Sequence, residues 1–212
     1  CDHRIFGITV LVSSDHISEI DTIISAVDRS KAEGQRNRAI LETLYSCGLR
    51  VSELVNLKLS DLYFDEGFIK VEGKGSKQRL VPISPRAINE IKLYFADRNQ
   101  IEVKKDYEDF VFVSQRRGKS LSRIMIFHMI KELAQNAGIT KNISPHTFRH
   151  SFATHLLEGG ANLRAIQCML GHESIATTEI YTHIDRNMLR SEIIEHHPRN
   201  IKYRKEKESS FH

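Results

Sequence analysis

No apolar run among these 212 residues approaches the roughly 18–20 residues that a helix needs to cross a bilayer, so a membrane-spanning helix is not expected. Gly7–Val12 is apolar, but Asp2 precedes it and no small-residue cleavage site follows, so it does not read as a signal peptide. Cysteine is scarce. Cys1, Cys47 and Cys168 form no pattern of pairs, and the odd count argues against a disulfide framework and for a reducing cytoplasm. Charge of one sign is not in large excess either, the net value being +4 with a pI near 8.9. The excess is uneven: residues 1–30 hold two basic and five acidic side chains, so the remainder carries +7. A basic excess gathered on one face suits phosphate binding, while a mixed solvated surface is the plainer reading of charge alone. Internal repeats and low-complexity stretches are missing. What is left is a chain 40% hydrophobic and 27% charged, the profile and size of one ordinary globular domain.

Apolar residues at helical spacing fill most of the chain. Residues 1–16 read as a connector, and a helix follows from near Ser18 with Ile20, Ile23, Ile24 and Val27 on one side until Gly34. A second helix is expected over about 35–47, with Ile40, Leu41, Leu44 and Tyr45 buried and Gly48 closing it. A short one follows from Ser52-Glu53. The pattern then changes to three short strands, Leu62–Phe64, Phe68–Val71 and Arg79–Ile83, divided by turn-like glycine segments. Ser84-Pro85 opens a helix, and Phe110–Val113 has the look of a fourth strand. Helices are expected again from Ser122, from Ser144-Pro145 and through Leu163–Leu170, with Gly171 as cap. Ser174 can cap a short helix toward Tyr181, a last helix covers about 187–195, and 198–212 reads as a polar, basic tail. The expected class is mainly α with a small three-stranded antiparallel sheet.

The chemistry concentrates in Ser144-Pro-His146-Thr-Phe-Arg149-His-Ser-Phe-Ala-Thr-His155, followed by Leu170-Gly-His172 and Tyr181. At about 100° per residue, His146 and Arg149 share one face of a helix while Phe148 and Phe152 point nearly the other way. Such a helix docks through its phenylalanines and presents His146 and Arg149 to a cleft, beside a helix N-terminus favourable to phosphate. Gly48-Leu-Arg50-Val-Ser-Glu53 adds a second arginine, and two guanidinium forks can hold the non-bridging oxygens of a phosphodiester. A surface ion pair with Glu53 is the plainer reading of Arg50 by itself. In the turn Gly73-Lys74-Gly75-Ser76-Lys77-Gln78-Arg79 the glycines let the backbone approach DNA, and Lys74 at the tip can reach a leaving oxygen. This turn is not a P-loop: five residues separate Gly67 from Gly73, and Gly75 follows the lysine where Ser or Thr is needed. A free phenol with a pKa near 10 attacks only with a base or cations at hand, and a packed core tyrosine is the ordinary reading of Tyr181 alone. His146 and His150 have metalloprotease spacing, but Thr147 stands where the general-base glutamate belongs, so no metal is expected. Cys47 and Cys168 read as core.

Five elements in order, Gly48–Leu54, Gly73-Lys74-Gly75, Ser144–His155, Leu170-Gly-His172 and Ile180-Tyr181-Thr-His183, resemble the catalytic domain of the tyrosine recombinase family, the phage integrases and Xer-type resolvases, with the Xer branch nearest. The likeness runs from about residue 34 to 197. It implies the tyrosine recombinase/integrase catalytic-domain fold, with residues 17–197 as the catalytic domain, 1–16 as a linker or remnant of an N-terminal core-binding domain, and 198–212 as a basic C-terminal tail. It also implies that the chain is the catalytic part of a longer protein, binding DNA weakly alone and with steep salt dependence. The implied activity is site-specific cleavage and rejoining of DNA through a 3′-phosphotyrosine on Tyr181, for integration, excision or chromosome dimer resolution. Arg50 and Arg149 would clamp the phosphate, Lys74 would act as general acid, His146 as base or proton relay, and His172 as a hydrogen-bond donor. Lys77, Arg79 and Arg123 are expected on the DNA-binding surface. The implied partners are double-stranded DNA and a homo- or hetero-tetramer exchanging C-terminal helices through Met188, Leu189, Ile193 and Ile194; no cofactor, metal or membrane is implied. The alternatives are a non-catalytic DNA-binding module of the same fold and a type IB topoisomerase-like relaxing enzyme.

Overall fold

A computed structural model describes residues 4–5, 8–9, 15–171 and 183–209. Two short strands, β1 (Arg4–Ile5) and β2 (Ile8–Thr9), pair antiparallel and precede α1 (Asp15–Ser25), α2 (Gly34–Cys47) and the short α3 (Val51–Val55). The antiparallel sheet follows as β3 (Leu62–Tyr63), β4 (Phe68–Glu72) and β5 (Gln78–Pro82), in that spatial order, with Lys70 opposite Leu80. Then come α4 (Pro85–Arg98), α5 (Arg123–Asn136), α6 (Pro145–Glu158), α7 (Leu163–Leu170), α8 (His183–His196) and α9 (Pro198–Ser209). The fold is mainly helical with one three-stranded antiparallel sheet.

Helix starts fall where the sequence places side-chain caps. Ser84 accepts from the Ala87 N–H, Ser122 from the Met125 N–H, and Asn162 from the Arg164 and Ala165 N–H groups, each satisfying donors the first turn leaves free. At α6 the Thr147 hydroxyl accepts from the Ser144 N–H, and Pro145 occupies the first turn, where its missing N–H costs nothing.

The core is built around α2, which packs against α4 on one side and α6 on the other. The single buried stripe expected for α2 is too narrow: Ala39, Thr43 and Cys47 are buried along with Ile40, Leu41, Leu44 and Tyr45. Burial pushes the Cys47 thiol up to about 12, so it is an inert core group. Gly48 ends α2 with φ +59°, and a Cβ there would lie 2.4 Å from the Phe152 ring, so both the left-handed backbone and the close approach of α6 require glycine.

Three expectations change. Phe110–Val113 is not a fourth strand but a bent stretch, buried from Val111 to Val113, with isolated bridges at its ends, Lys58 with Phe110 and Val113 with Ser120. The Arg98 guanidinium donates to the carbonyls of Glu108, Phe110 and Val111, occupying acceptors that a ladder would use. Residues 198–209 are not an open tail but the helix α9. Its Arg199 is buried and pairs with Glu42 of α2 and Asp21 of α1. The final apolar helix is longer than expected, His183–His196, and its Leu189 and Ile193 pack into this chain's own core. The short helix expected after Ser174 lies outside the described residues.

The α8–α9 junction is held by a buried polar cluster. His197 Nε2–H donates to the Tyr45 carbonyl at 3.0 Å, its ring stands edge-on to Tyr45, and Nδ1 is buried without a hydrogen-bond partner. Tyr45 Oη and His155 Nδ1 share a hydrogen bond of 2.6 Å. Burial, together with the charges of His155 and Arg199, brings His197 from 6.5 down to about 4, against the pull of the Tyr45 carbonyl and Asp21. The folded chain therefore keeps His197 neutral where the unfolded chain takes up a proton. Stability should fall by up to about 3 kcal/mol as pH drops from 6.5 to about 4, and this contribution levels off below that. His197→Gln keeps a donor for the Tyr45 carbonyl without titrating, so denaturant unfolding across this window should show a flatter slope for the variant. Equal slopes for the two proteins would refute the assignment.

Candidate active site

Arg50 is the residue before α3, and Glu53 at the third helical position reaches back to it. The carboxylate accepts from the Arg50 N–H at 2.8 Å and from Arg50 Nη1 at 2.9 Å. The plainer sequence reading, a surface ion pair, is half of what the structure shows. Glu53 is buried, while the Arg50 side chain is 40% exposed and so stays open to a ligand. Burial pushes the Glu53 carboxyl up, but the hydrogen bonds and charge of Arg79, with those of Arg50, outweigh it and hold it below its usual value.

On α6, Phe148 and Phe152 are buried and His146 is exposed, with Arg149 half-buried on its side of the helix. Arg149 Nη1 donates to the Gly48 carbonyl at 2.5 Å and Nη2 to the Leu170 carbonyl at 2.7 Å. The end of α2 and the end of α7 are thus tied to one guanidinium. Burial lowers Arg149 to about 10, aided by the Arg50 charge and, against the pull of Glu53, by Arg79. It therefore stays charged at neutral pH. The β4–β5 turn closes on the same place: a Cβ on Gly73 would lie 3.9 Å from Arg50 Nη1. The turn Lys74–Ser76 begins at the next residue, so the Lys74 backbone starts beside Arg50; its side chain is outside what the structure describes.

The structure thus brings Arg50, Arg149 and the Lys74 turn together, with His146 one helical turn ahead of Arg149. Tyr181 and His172 lie outside the described residues; Gly171, ending α7, and His183, opening α8, flank the segment that holds them. Lys77 and Arg123 are exposed. Arg79 is not where the sequence reading put it. Its side chain is only 9% exposed and bound to Glu53 and the Met169 carbonyl, so it faces inward instead of toward an open DNA surface.

Around Arg123, which the sequence reading did place on the DNA-binding surface, lies a wider basic surface that it missed. From Val111 to Lys131 there is no Asp or Glu, while Arg116, Arg117, Lys119, Arg123 and Lys131 are all present. These five cations are exposed on the turn before α5 and on α5 itself. The missing acids were the available signal. Among the described residues no helix is long and apolar enough to cross a membrane.

Known proteins share sequence and fold with this chain. The model of the Phage integrase family matches residues 16–188. The tyrosine recombinase XerD of Halalkalibacterium halodurans is 45% identical over 183 residues, covering 86% of this chain and 61% of that protein. The chain therefore spans about three fifths of that relative's length. Among solved structures, XerA recombinase superposes with a TM-score of 0.68 at 38% identity, covering 92% of this chain and 66% of the other. XerH recombinase, bound to its difH substrate before cleavage, gives a TM-score of 0.66 at 29% identity, covering 81% and 49%. The chain belongs to the phage integrase family, the tyrosine recombinases.

Proposed function

We propose that this chain is the catalytic part of a site-specific DNA recombinase, with residues 17–197 as its catalytic domain. The observation that carries this is the convergence of Arg50 and Arg149, distant in sequence, on one site beside the turn of Lys74. Two fixed guanidiniums with free donors meet the needs of a phosphodiester gaining charge in a pentacoordinate transition state. In the proposed step the Tyr181 oxygen forms a bond to the scissile phosphorus and the bond from phosphorus to the 5′-oxygen breaks. The phenolic proton passes toward His146, Lys74 supplies a proton to the leaving 5′-oxygen, and His172 donates to the phosphate. The product is a 3′-phosphotyrosine and a free 5′-hydroxyl. Because the intermediate keeps a phosphodiester bond, rejoining by another 5′-hydroxyl needs no ATP.

Double-stranded DNA is the proposed partner. Exposed Lys77 and Arg123 and the acid-free stretch around residues 116–123 supply a phosphate-binding surface. XerD-like identity favours chromosome dimer resolution over integration, and the proposed compartment is the cytoplasm. Assembly as a tetramer with exchange of the C-terminal helices would move Leu189 and Ile193 from this chain's core into the same groove of a neighbour, a swap that conserves contacts.

The test is incubation of the full-length protein with a nicked suicide duplex, followed by denaturing electrophoresis. A covalent protein–DNA adduct is expected, and it should vanish in Tyr181→Phe. Absence of adduct from the wild-type protein would leave a non-catalytic DNA-binding module. Relaxation of a supercoiled plasmid lacking any second site would point instead to a topoisomerase.

A further inference from the structure

We propose that Arg79 is a positioning residue for strand cleavage, coupling the Arg50 turn to the helix end from which the His172–Tyr181 segment departs. This rests on the recombinase reading above. Arg79 lies on β5 opposite Val71, and its guanidinium reaches two elements at once. Nη1 and Nη2 donate to the two oxygens of Glu53 at 2.7 and 3.1 Å, a bidentate pair, and Nε donates to the Met169 carbonyl at 3.0 Å. Glu53 in turn holds both the backbone and the side chain of Arg50.

Met169 and Leu170 carry two of the last carbonyls of α7, which the helix cannot satisfy internally and where its dipole favours cations. Arg79 binds the first of these carbonyls and Arg149 the second. Both arginines also reach the 48–53 segment, Arg149 through the Gly48 carbonyl and Arg79 through Glu53. Two parallel clasps therefore join the Arg50 turn to the end of α7, and only Arg149 also faces the proposed phosphate. Gly171 fits this arrangement: its φ is +67°, and a Cβ there would lie 3.1 Å from Arg79 Cδ and Nε. A side chain at 171 would press on the clasp at the residue before His172. A direct DNA contact is the competing role, but all three guanidinium nitrogens are engaged and the side chain is 9% exposed.

The test uses the full-length protein as wild type, Arg79→Met and Arg79→Lys. Three quantities are read: single-turnover adduct formation at saturating suicide duplex, DNA affinity, and backbone hydrogen exchange of the DNA-free proteins. Arg79→Met should form adduct about 10–100-fold more slowly, as expected when reacting groups lose their alignment, with DNA affinity changed by less than about twofold. Exchange should quicken together in residues 48–55 and 165–171, the two segments that Arg79 joins through Glu53 and the Met169 carbonyl. Arg79→Lys should recover part of the rate, because one ammonium can reach Glu53 but cannot span Glu53 and the Met169 carbonyl together. A rate within about threefold of wild type with unchanged exchange would overturn the proposal. So would weakened DNA affinity with an unchanged rate at saturation, which would make Arg79 a DNA contact. If Arg79→Met fails to fold, Arg79→Lys decides, since wild-type rate and exchange in it would equally overturn the coupling. A wild-type protein that forms no adduct counts against the recombinase reading, and exchange in the two segments then decides the coupling by itself.

Discussion

Arg149→Ala should slow adduct formation by roughly 10³-fold, the upper range for losing one preorganised donor at a developing oxyanion. In the proposed step the side chain acts twice: its remaining donors bind the phosphate, while Nη1 and Nη2 donate to the Gly48 and Leu170 carbonyls. Alanine removes the transition-state charge and both ties, so the rate loss should exceed what a lost phosphate contact does to DNA affinity. Truncation costs about 1 kcal/mol of stability for each hydrogen bond, and unfolding measured in parallel separates this from the catalytic loss. Arg149→Lys is the informative companion. It retains a charge of the same sign but not the planar fork, so it should bind DNA normally and still cleave poorly. Single-turnover rates decide the matter: an Arg149→Ala rate within about tenfold of wild type would remove Arg149 from the proposed phosphate clamp.

Arg149 and His146 are legible in the sequence because the face they occupy follows from the local helical period, although the carbonyls that hold Arg149 are distant. The period of α6 sends Phe148 and Phe152 into the core and leaves the third and sixth residues of the motif on the open side. The helix starts at Ser84, Ser122 and Ser144 are legible for the same reason, since a cap and its N–H partner lie within one turn. Arg79 is not legible. Beside Lys74 and Lys77 it reads as one more exposed cation of a basic hairpin, yet its partners lie 26 and 90 residues away. No local pattern announces that an acid on α3 and a carbonyl on α7 will meet it. Phe110–Val113 fails differently: the residues suit a strand and are buried as a strand would be, but Arg98 takes the carbonyls that a neighbouring strand would need.

α9 escapes the sequence reading because what holds it is ionic. Periodicity arguments look for an apolar stripe, and this helix docks through Arg199 instead. The second large effect is expected where it docks. Glu42 of α2 is 2% exposed and faces three guanidiniums: Arg199 of α9, which binds it through Nε at 2.9 Å and through Nη2; Arg86 of α4 at 3.0 Å; and Arg38 at 4.0 Å. Arg199 also pairs with Asp21 of α1, so four helices meet around two carboxylates. Glu42→Gln keeps the shape and removes the charge, leaving the guanidiniums partly uncompensated. Breaking a buried ion cluster by removing one partner costs about 3–5 kcal/mol; with Asp21 still present we expect the lower figure, seen as a fall in Tm of about 10 °C. Adding Arg199→Met should recover part of the loss, because the cation left without a partner goes and its volume is refilled by an apolar chain. Denaturant unfolding of both single variants and the double variant measures the coupling. A Glu42→Gln protein within about 1 kcal/mol of wild type, or a double variant no more stable than Glu42→Gln, would mean that α9 is not tied to the core through this cluster.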